Sequence, residues 1–241
     1  SVENLGLVFA MFGFSALAGG RGQARLASAV LGAMFLHLFA HALFKSGLFL
    51  GAGAIVHGTH TAKIEDLGGL ANRMPRLSAA MLGLSLAAAS LPPFGAFAAE
   101  WLFVESLLAS FGTGHLILVA SGVVLLTGVA FVAGLAVFAM VRLFAFTFLA
   151  EPRSAGARAA VEPPAPLGAP VAVFAFAVLA LGLASPWASP LLPVPLTRVA
   201  WALGTAPART AGAGAALTAG PVPLLPFALG AALAGALGCA W

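Results

Sequence analysis

Between Leu26 and Ala62 the chain runs thirty-seven residues with one formal charge, Lys45. A stretch so long and so apolar exceeds any core strand or ordinary buried helix. It fits a helix that crosses a lipid bilayer, where backbone groups must be bonded within the segment itself. Similar runs recur along the sequence, and only 7% of the 241 residues are charged while 61% are apolar. Ordinary soluble domains carry roughly 25% charged residues. Too few ionisable side chains remain to clothe a water-exposed surface, so a soluble enzyme is excluded and an all-α, polytopic transmembrane helix bundle is expected.

A span needs about 20 mostly apolar residues. Five segments meet or approach this: roughly 4–20, 26–57, 77–110, 115–149 and 168–190. A sixth candidate, 221–241, follows Pro221, Pro223 and Pro226 and is rich in Ala and Gly. The bundle should therefore have about five to six spans. The third segment carries Pro92-Pro93-Phe94-Gly95 in its middle. Two prolines there remove backbone donors and clash with the preceding turn, which predicts a helix broken at membrane depth around Pro92, Pro93 and Gly95.

The short connecting loops hold most of the charge. With five alternating spans, Lys63, Arg73, Arg76, Arg153 and Arg158 fall on one side and Arg21, Arg25, Arg198 and Arg209 on the other, which leaves orientation open under the positive-inside rule. Thirteen of the sixteen prolines lie beyond residue 151, so composition divides the chain near residue 150 into 1–150 and a Pro/Ala-rich 151–241. The start at Ser1 and the end at Trp241, inside an apolar run, read as those of part of a longer polypeptide.

Ionisable groups at membrane depth are costly and by default functional. His37, His41 and Lys45 are spaced i, i+4, i+8. On a helix they fall within about 80° of one face and rise about 6 Å per step. The stripe reads as a ladder of groups able to exchange protons, histidine already titrating near neutrality. From Leu77 to Val141 the only charges are Glu100 and Glu105, both just past the proline break. A broken helix leaves backbone groups free and admits water, a setting suited to a proton-carrying carboxylate, and Glu100 is the stronger candidate. Glu105 lies about 140° around the helix from it. Arg142, late in the fourth segment, is a candidate partner for Glu100 or an interfacial residue, with the interface favoured, and Glu105 and Arg142 are kept as candidate ion-pair residues. His57, His60 and His115 sit at segment ends and read as interfacial.

Conventional enzyme chemistry has no footing. No nucleophile motif surrounds Ser46, Ser85, Ser90 or Ser106, and no phosphate-binding glycine loop is present. The single cysteine, Cys239, offers no disulfide, iron–sulfur or zinc site. No cofactor, metal, catalytic residue or nucleic-acid partner is therefore expected.

Three blocks together carry a resemblance. They are His37-Leu-Phe-Ala-His41-Ala-Leu-Phe-Lys45-Ser-Gly-Leu-Phe, then Leu67-Gly68-Gly69-Leu70 with Arg73-Met74-Pro75, then Leu91-Pro92-Pro93-Phe94-Gly95-Ala-Phe97-Ala-Ala-Glu100-Trp101. In order and spacing they resemble the antiporter-like proton-translocating subunits of respiratory complex I. The opening Ser1-Val2-Glu3-Asn4-Leu5-Gly6 and the Glu100-Trp101 pair look most like the hydrogenase-4 and formate hydrogenlyase membrane-subunit (component B) branch. Glu100 stands where some members of the wider family have lysine.

The resemblance implies Lys45 as the central lysine of the second proton half-channel, His37 and His41 as its relay, and Glu100 as the terminal acid beside the broken helix. It implies that residues 1–150 hold four helices of the second of two inverted five-helix repeats and that 151–241 hold C-terminal helices. The chain would then be a C-terminal-half fragment of a non-redox membrane subunit. Its expected partners are other membrane and hydrophilic subunits of a multi-subunit redox complex of hydrogenase or NADH–quinone oxidoreductase type, membrane lipid, and protons, with sodium left open. The expected location is the bacterial inner membrane. Two other readings stay open: a subunit of a multi-subunit cation/proton antiporter, and a structural membrane anchor.

Overall fold

The computed structural model describes residues 2–188, and every described element is helical. The helices are α1 (Val2–Gly20), α2 (Ala24–Thr59), α3 (Pro75–Ala88), α4 (Gly95–Ala109), α5 (Leu116–Phe144), α6 (Ala155–Ala159) and α7 (Ala165–Ala188). Short 3-10 turns at Ile64–Asp66, Leu70–Asn72 and Ser110–Thr113 lie in the connections. The five expected segments correspond to α1, α2, the α3–α4 pair, α5 and α7. The sixth, 221–241, lies outside the described residues.

Four helices are long and apolar enough to cross a membrane by themselves: α1, α2, α5 with its continuation to Leu149, and α7 over Ala165–Ser185. At 36 residues α2 is about 54 Å long, well beyond the hydrocarbon thickness. In α5 the excess ends in a π-helical turn at Ala145–Leu149. Neither α3, with 14 residues, nor α4, with 15, reaches across alone. Together they occupy the third expected segment, 77–110, interrupted where the two prolines predict.

The break has a defined anatomy. The N–H of Leu91 donates to the carbonyl of Leu86 and that of Ser90 to Ala87, which closes α3 in a Schellman motif. Ser90 occupies the left-handed position at φ 51°, where glycine is the usual tenant. The chain then turns through Leu91, Pro92 and Pro93 and restarts as α4 at Gly95. α7 runs hard against this turn: a Cβ placed on Gly182 would collide with the Pro93 carbonyl oxygen. Only glycine allows that approach.

Helix α2 is the hub of the bundle, packing on α1, α3, α4 and α7. One core joins Phe44 and Ile55 of α2 with Leu77 and Leu84 of α3, Phe148, and Val171 and Val178 of α7. Segments on both sides of residue 150 thus share buried contacts. A second core at the other end of α2 joins Met11, Phe14, Val30, Leu31, Phe103 and Leu118. By contrast α5 turns a bare apolar stripe outward, with Val124, Phe131 and Phe138 exposed at seven-residue intervals. In a bilayer such a face meets lipid tails at no hydrophobic cost.

Outside the apolar zone the loops are clamped. The Glu162 carboxylate accepts from the N–H groups of Arg76 at 3.0 Å and Leu77 at 2.9 Å, which caps the start of α3 behind Pro75. The Arg153 guanidinium donates to three carbonyls, those of Glu65, Ile64 and Phe146, at 2.8, 2.9 and 2.6 Å.

Candidate functional site

Three helices and the break bring polar side chains together in the bundle. α2 carries the stripe His37, His41, Lys45, and its packing against α1 and α4 buries the upper end of that stripe. His37 is fully buried. Its Nε2–H donates to Oδ1 of Asn4, on the first turn of α1, at 3.1 Å. Its other nitrogen, Nδ1, lies 3.8 Å from Oε1 of Glu100 on α4. Ser90 donates its hydroxyl to that same Glu100 oxygen at 2.5 Å. Asn4, His37, Glu100 and Ser90 therefore form one continuous polar row across α1, α2, α4 and the end of α3.

The rest of the stripe continues along α2 as its spacing requires. His41 is partly buried, with its ring edge-on to Phe44 at 5.2 Å and its Nε2 buried without a hydrogen-bond partner. Lys45 is partly buried, and its ammonium lies 5.6 Å from the centre of the Phe49 ring, a cation–π contact that holds charge against an apolar wall. Glu3, exposed beside Asn4, lies within electrostatic range of both Lys45 and Glu100.

Among the described residues the one ionic contact within 4.0 Å is His37–Glu100, so the carboxylate meets a histidine instead of a lysine or arginine. Glu105 and Arg142 do not pair. Glu105 accepts from the Trp101 indole N–H at 2.8 Å, and Arg142 is exposed with its guanidinium over Phe146 at 5.7 Å. The reason is axial. α4 and α5 form a hairpin in which Gly122 packs near Leu107 and Ser110. That register sets Arg142 tens of ångströms along α5 from the level of Glu105, at about 1.5 Å per residue. His57, in the last turn of α2, and His60, just after it, are exposed, while His115 precedes α5. No three His, Cys, Asp or Glu side chains converge as metal ligands would, among the described residues.

Two members of the row escaped sequence reasoning. Ser90 has no motif around it, although its place next to the proline break and ten residues before Glu100 is a usable signal. Asn4, with Glu3 before it, is one of the few polar side chains of a mostly apolar helix. An amide on a mostly apolar helix calls for a partner when neighbouring helices cover it.

Chemically, the row can accept, hold and pass a proton: a carboxyl, an imidazole nitrogen with no partner, and a second imidazole and an ammonium at one-turn intervals. Each proton step needs donor and acceptor to approach hydrogen-bond distance. The 3.8 Å between His37 and Glu100 is a short closure away from it.

Residues 22–127 match the model of the family described as "NADH:quinone oxidoreductase/Mrp antiporter, TM". This span holds the whole His37–Lys45 stripe, the break and Glu100, and it is similar to that family along its length. The chain is 35% identical over 222 residues to hydrogenase-4 component B of Escherichia coli, a match covering 91% of this chain and 32% of that protein. It is 34% identical over 201 residues to formate hydrogenlyase subunit 3 of the same organism, covering 81% of this chain and 33% of the relative. The chain thus spans about a third of the length of these curated relatives. Among solved structures, the Mrp complex from Dietzia sp. DQ12-45-1b superposes with a TM-score of 0.53 at 22% identity, over 95% of this chain and 49% of that one. That likeness speaks to the fold alone. The resemblance read from the three motif blocks is borne out, and the chain is an integral membrane protein whose described elements are all helical.

Proposed function

We propose that this chain is part of a proton-translocating membrane subunit of an energy-converting oxidoreductase complex, of hydrogenase-4/formate hydrogenlyase or NADH–quinone oxidoreductase type. Lys45 acts as the switching base, His41 and His37 as relay, and Glu100 as the terminal acid beside the break. Residues 1–150 form the second half-channel and 151–241 the C-terminal region, whose helix α7 packs on α2, α3 and α4. The partners are the other membrane and hydrophilic subunits of the complex, in the bacterial inner membrane, and the redox chemistry belongs to those partners.

The observation that carries this reading is the meeting of buried His37 with Glu100 at the broken helix, on the stripe that leads through His41 to Lys45. Coupling along the row is electrostatic. A change of charge at one group alters proton affinity at the next, because unit charges a few ångströms apart interact strongly where water is scarce.

The test is proton movement per electron transferred, in membranes carrying the full-length parent complex with Lys45→Ala, alongside assembly and redox turnover. The expected result is an assembled complex whose proton yield falls at least fivefold. Unchanged assembly, turnover and yield would favour the structural anchor instead. A second transport reading, a subunit of a cation/proton antiporter, draws on the family description and the Mrp structural neighbour. It predicts sodium-dependent proton movement without any electron donor.

A further inference from the structure

We propose that Asn4 is a positioning residue that fixes the tautomer of His37 and so makes Nδ1 the atom that exchanges a proton with Glu100. This rests on the functional reading above and assigns a role to a residue outside the Lys/His/Glu row.

A neutral imidazole carries one N–H and one bare nitrogen, and the hydrogen bond made by one nitrogen sets the state of the other. Asn4 Oδ1, an amide oxygen, can only accept. Its 3.1 Å contact with Nε2 therefore keeps the hydrogen on Nε2. Nδ1 is left bare, fully buried and without a hydrogen-bond partner, and it faces Glu100 Oε1 at 3.8 Å. A buried nitrogen with no partner is costly unless a proton is to arrive there.

The step balances simply. When Glu100 holds a proton, its O–H bond breaks as an N–H bond forms at Nδ1, giving imidazolium and carboxylate. Ser90, donating to the same carboxylate oxygen, stabilises the anion so formed. The reverse step returns the proton to Glu100. The opposite tautomer would aim an N–H at the carboxyl and leave it no acceptor, so the exchange would stall whenever Glu100 is protonated. The other charged or titratable groups facing the pair are His41 one turn along α2 and Glu3 beside Asn4, with Lys45 a further turn away.

The experiment uses the full-length parent complex with three changes: Asn4→Leu, near in size but with no acceptor; Asn4→Gln, which retains an amide oxygen; and Glu100→Ala as a control. The readouts are assembly, protons moved per electron, and the nitrogen-15 spectrum of histidine-labelled complex, with the His37 signals assigned by their loss in His37→Gln. Wild type should show His37 protonated at Nε2 and bare at Nδ1. Asn4→Leu should add a population protonated at Nδ1 and lower proton yield at least fivefold in assembled complex, and Asn4→Gln should restore both. Should Asn4→Leu not assemble, Asn4→Ala removes the acceptor without bulk and carries the same expectation.

A wild-type His37 protonated at Nδ1, or full proton yield in assembled Asn4→Leu, overturns the role of Asn4. Full proton yield in Glu100→Ala removes the functional reading itself, and the role of Asn4 with it. Normal loss in Glu100→Ala beside full yield in Asn4→Leu overturns the positioning role alone.

Discussion

Two polar networks sit in this molecule and they are built on opposite terms. Outside the apolar zone, Arg153 donates to three carbonyls and Glu162 accepts from two backbone N–H groups, so each charge is bonded to fixed backbone partners. Within the bundle, Asn4, His37, Glu100 and Ser90 are joined by single contacts. His37 Nδ1 and His41 Nε2 are buried with no hydrogen bond. A network tied to fixed backbone groups holds loops in place, because each charge has several partners that cannot move away. An under-filled one keeps sites where a proton can land, at a cost that ordinary structural polar groups do not bear.

The distinction also shows in the backbone. Ser90 is held at φ 51° to close α3, a left-handed conformation that costs a non-glycine residue about 1 kcal/mol or more. In exchange its hydroxyl reaches Glu100. In the loop clamp the left-handed positions Gly68 and Gly69 are glycines, packed against the carbonyls of Glu151 and Ala150. His60, at φ 58° where it closes α2, carries the same conformation away from the site, so the left-handed turn serves a helix end in both places and only at Ser90 does it also deliver a hydroxyl to a carboxylate.

The comparison breaks first at Glu100. Glu100→Gln keeps the shape and an oxygen for Ser90 but removes the titratable proton. Proton yield per electron should fall at least tenfold while the complex assembles, measured as acidification of inverted membrane vesicles by a pH-sensitive dye against redox turnover. Retention of the yield would mean the under-filled network is a packing detail.

How much of this was legible in the sequence follows from range. The spans were readable because each depends on its own composition: 26–57 was expected where α2 runs 24–59, and 4–20 where α1 runs 2–20. The break was readable because proline acts on its own turn. The stripe on α2 was readable because a helix has a fixed period. The meeting of His37 with Glu100 was not, since sixty-two residues and a broken helix intervene and no local rule sets the register of α4 on α2. The short α6, the π-helical turn after α5 and the loop clamp went unread for the same reason: Arg153 reaches carbonyls 88 and 89 residues away in sequence. Whether Arg142 would meet a carboxylate or an interface stayed open in the sequence, because charge alone says nothing of axial level.

Arg153→Ala sharpens the comparison from the other side. Loss of charge-assisted bonds to three carbonyls should lower stability by about 1–2 kcal/mol, the low end for such bonds because the guanidinium is exposed to solvent. Thermal unfolding of the detergent-solubilised complex should shift down by a few degrees. Protons moved per electron, in complex that assembles, should be unchanged. A fall in that ratio at constant assembly would mean that the clamp takes part in coupling and that the two networks are one.

The smallest effect is expected at Glu162, and it separates charge from geometry. Glu162→Gln keeps an oxygen able to accept from Arg76 or Leu77 but removes the negative charge from the first turn of α3. A charge there is worth about 0.3–1 kcal/mol against the helix dipole, and half-burial places this carboxylate toward the upper part of that range. The unfolding midpoint should therefore move less than in Arg153→Ala, and raising the ionic strength should narrow the gap between wild type and variant, since salt screens a dipole contact but leaves a hydrogen bond largely intact. If the gap persists in high salt, the capping geometry and not the charge sets the start of α3. The broken helix would then be anchored at this end by hydrogen bonds alone, leaving charge as a device confined to its other end, where Ser90 meets Glu100.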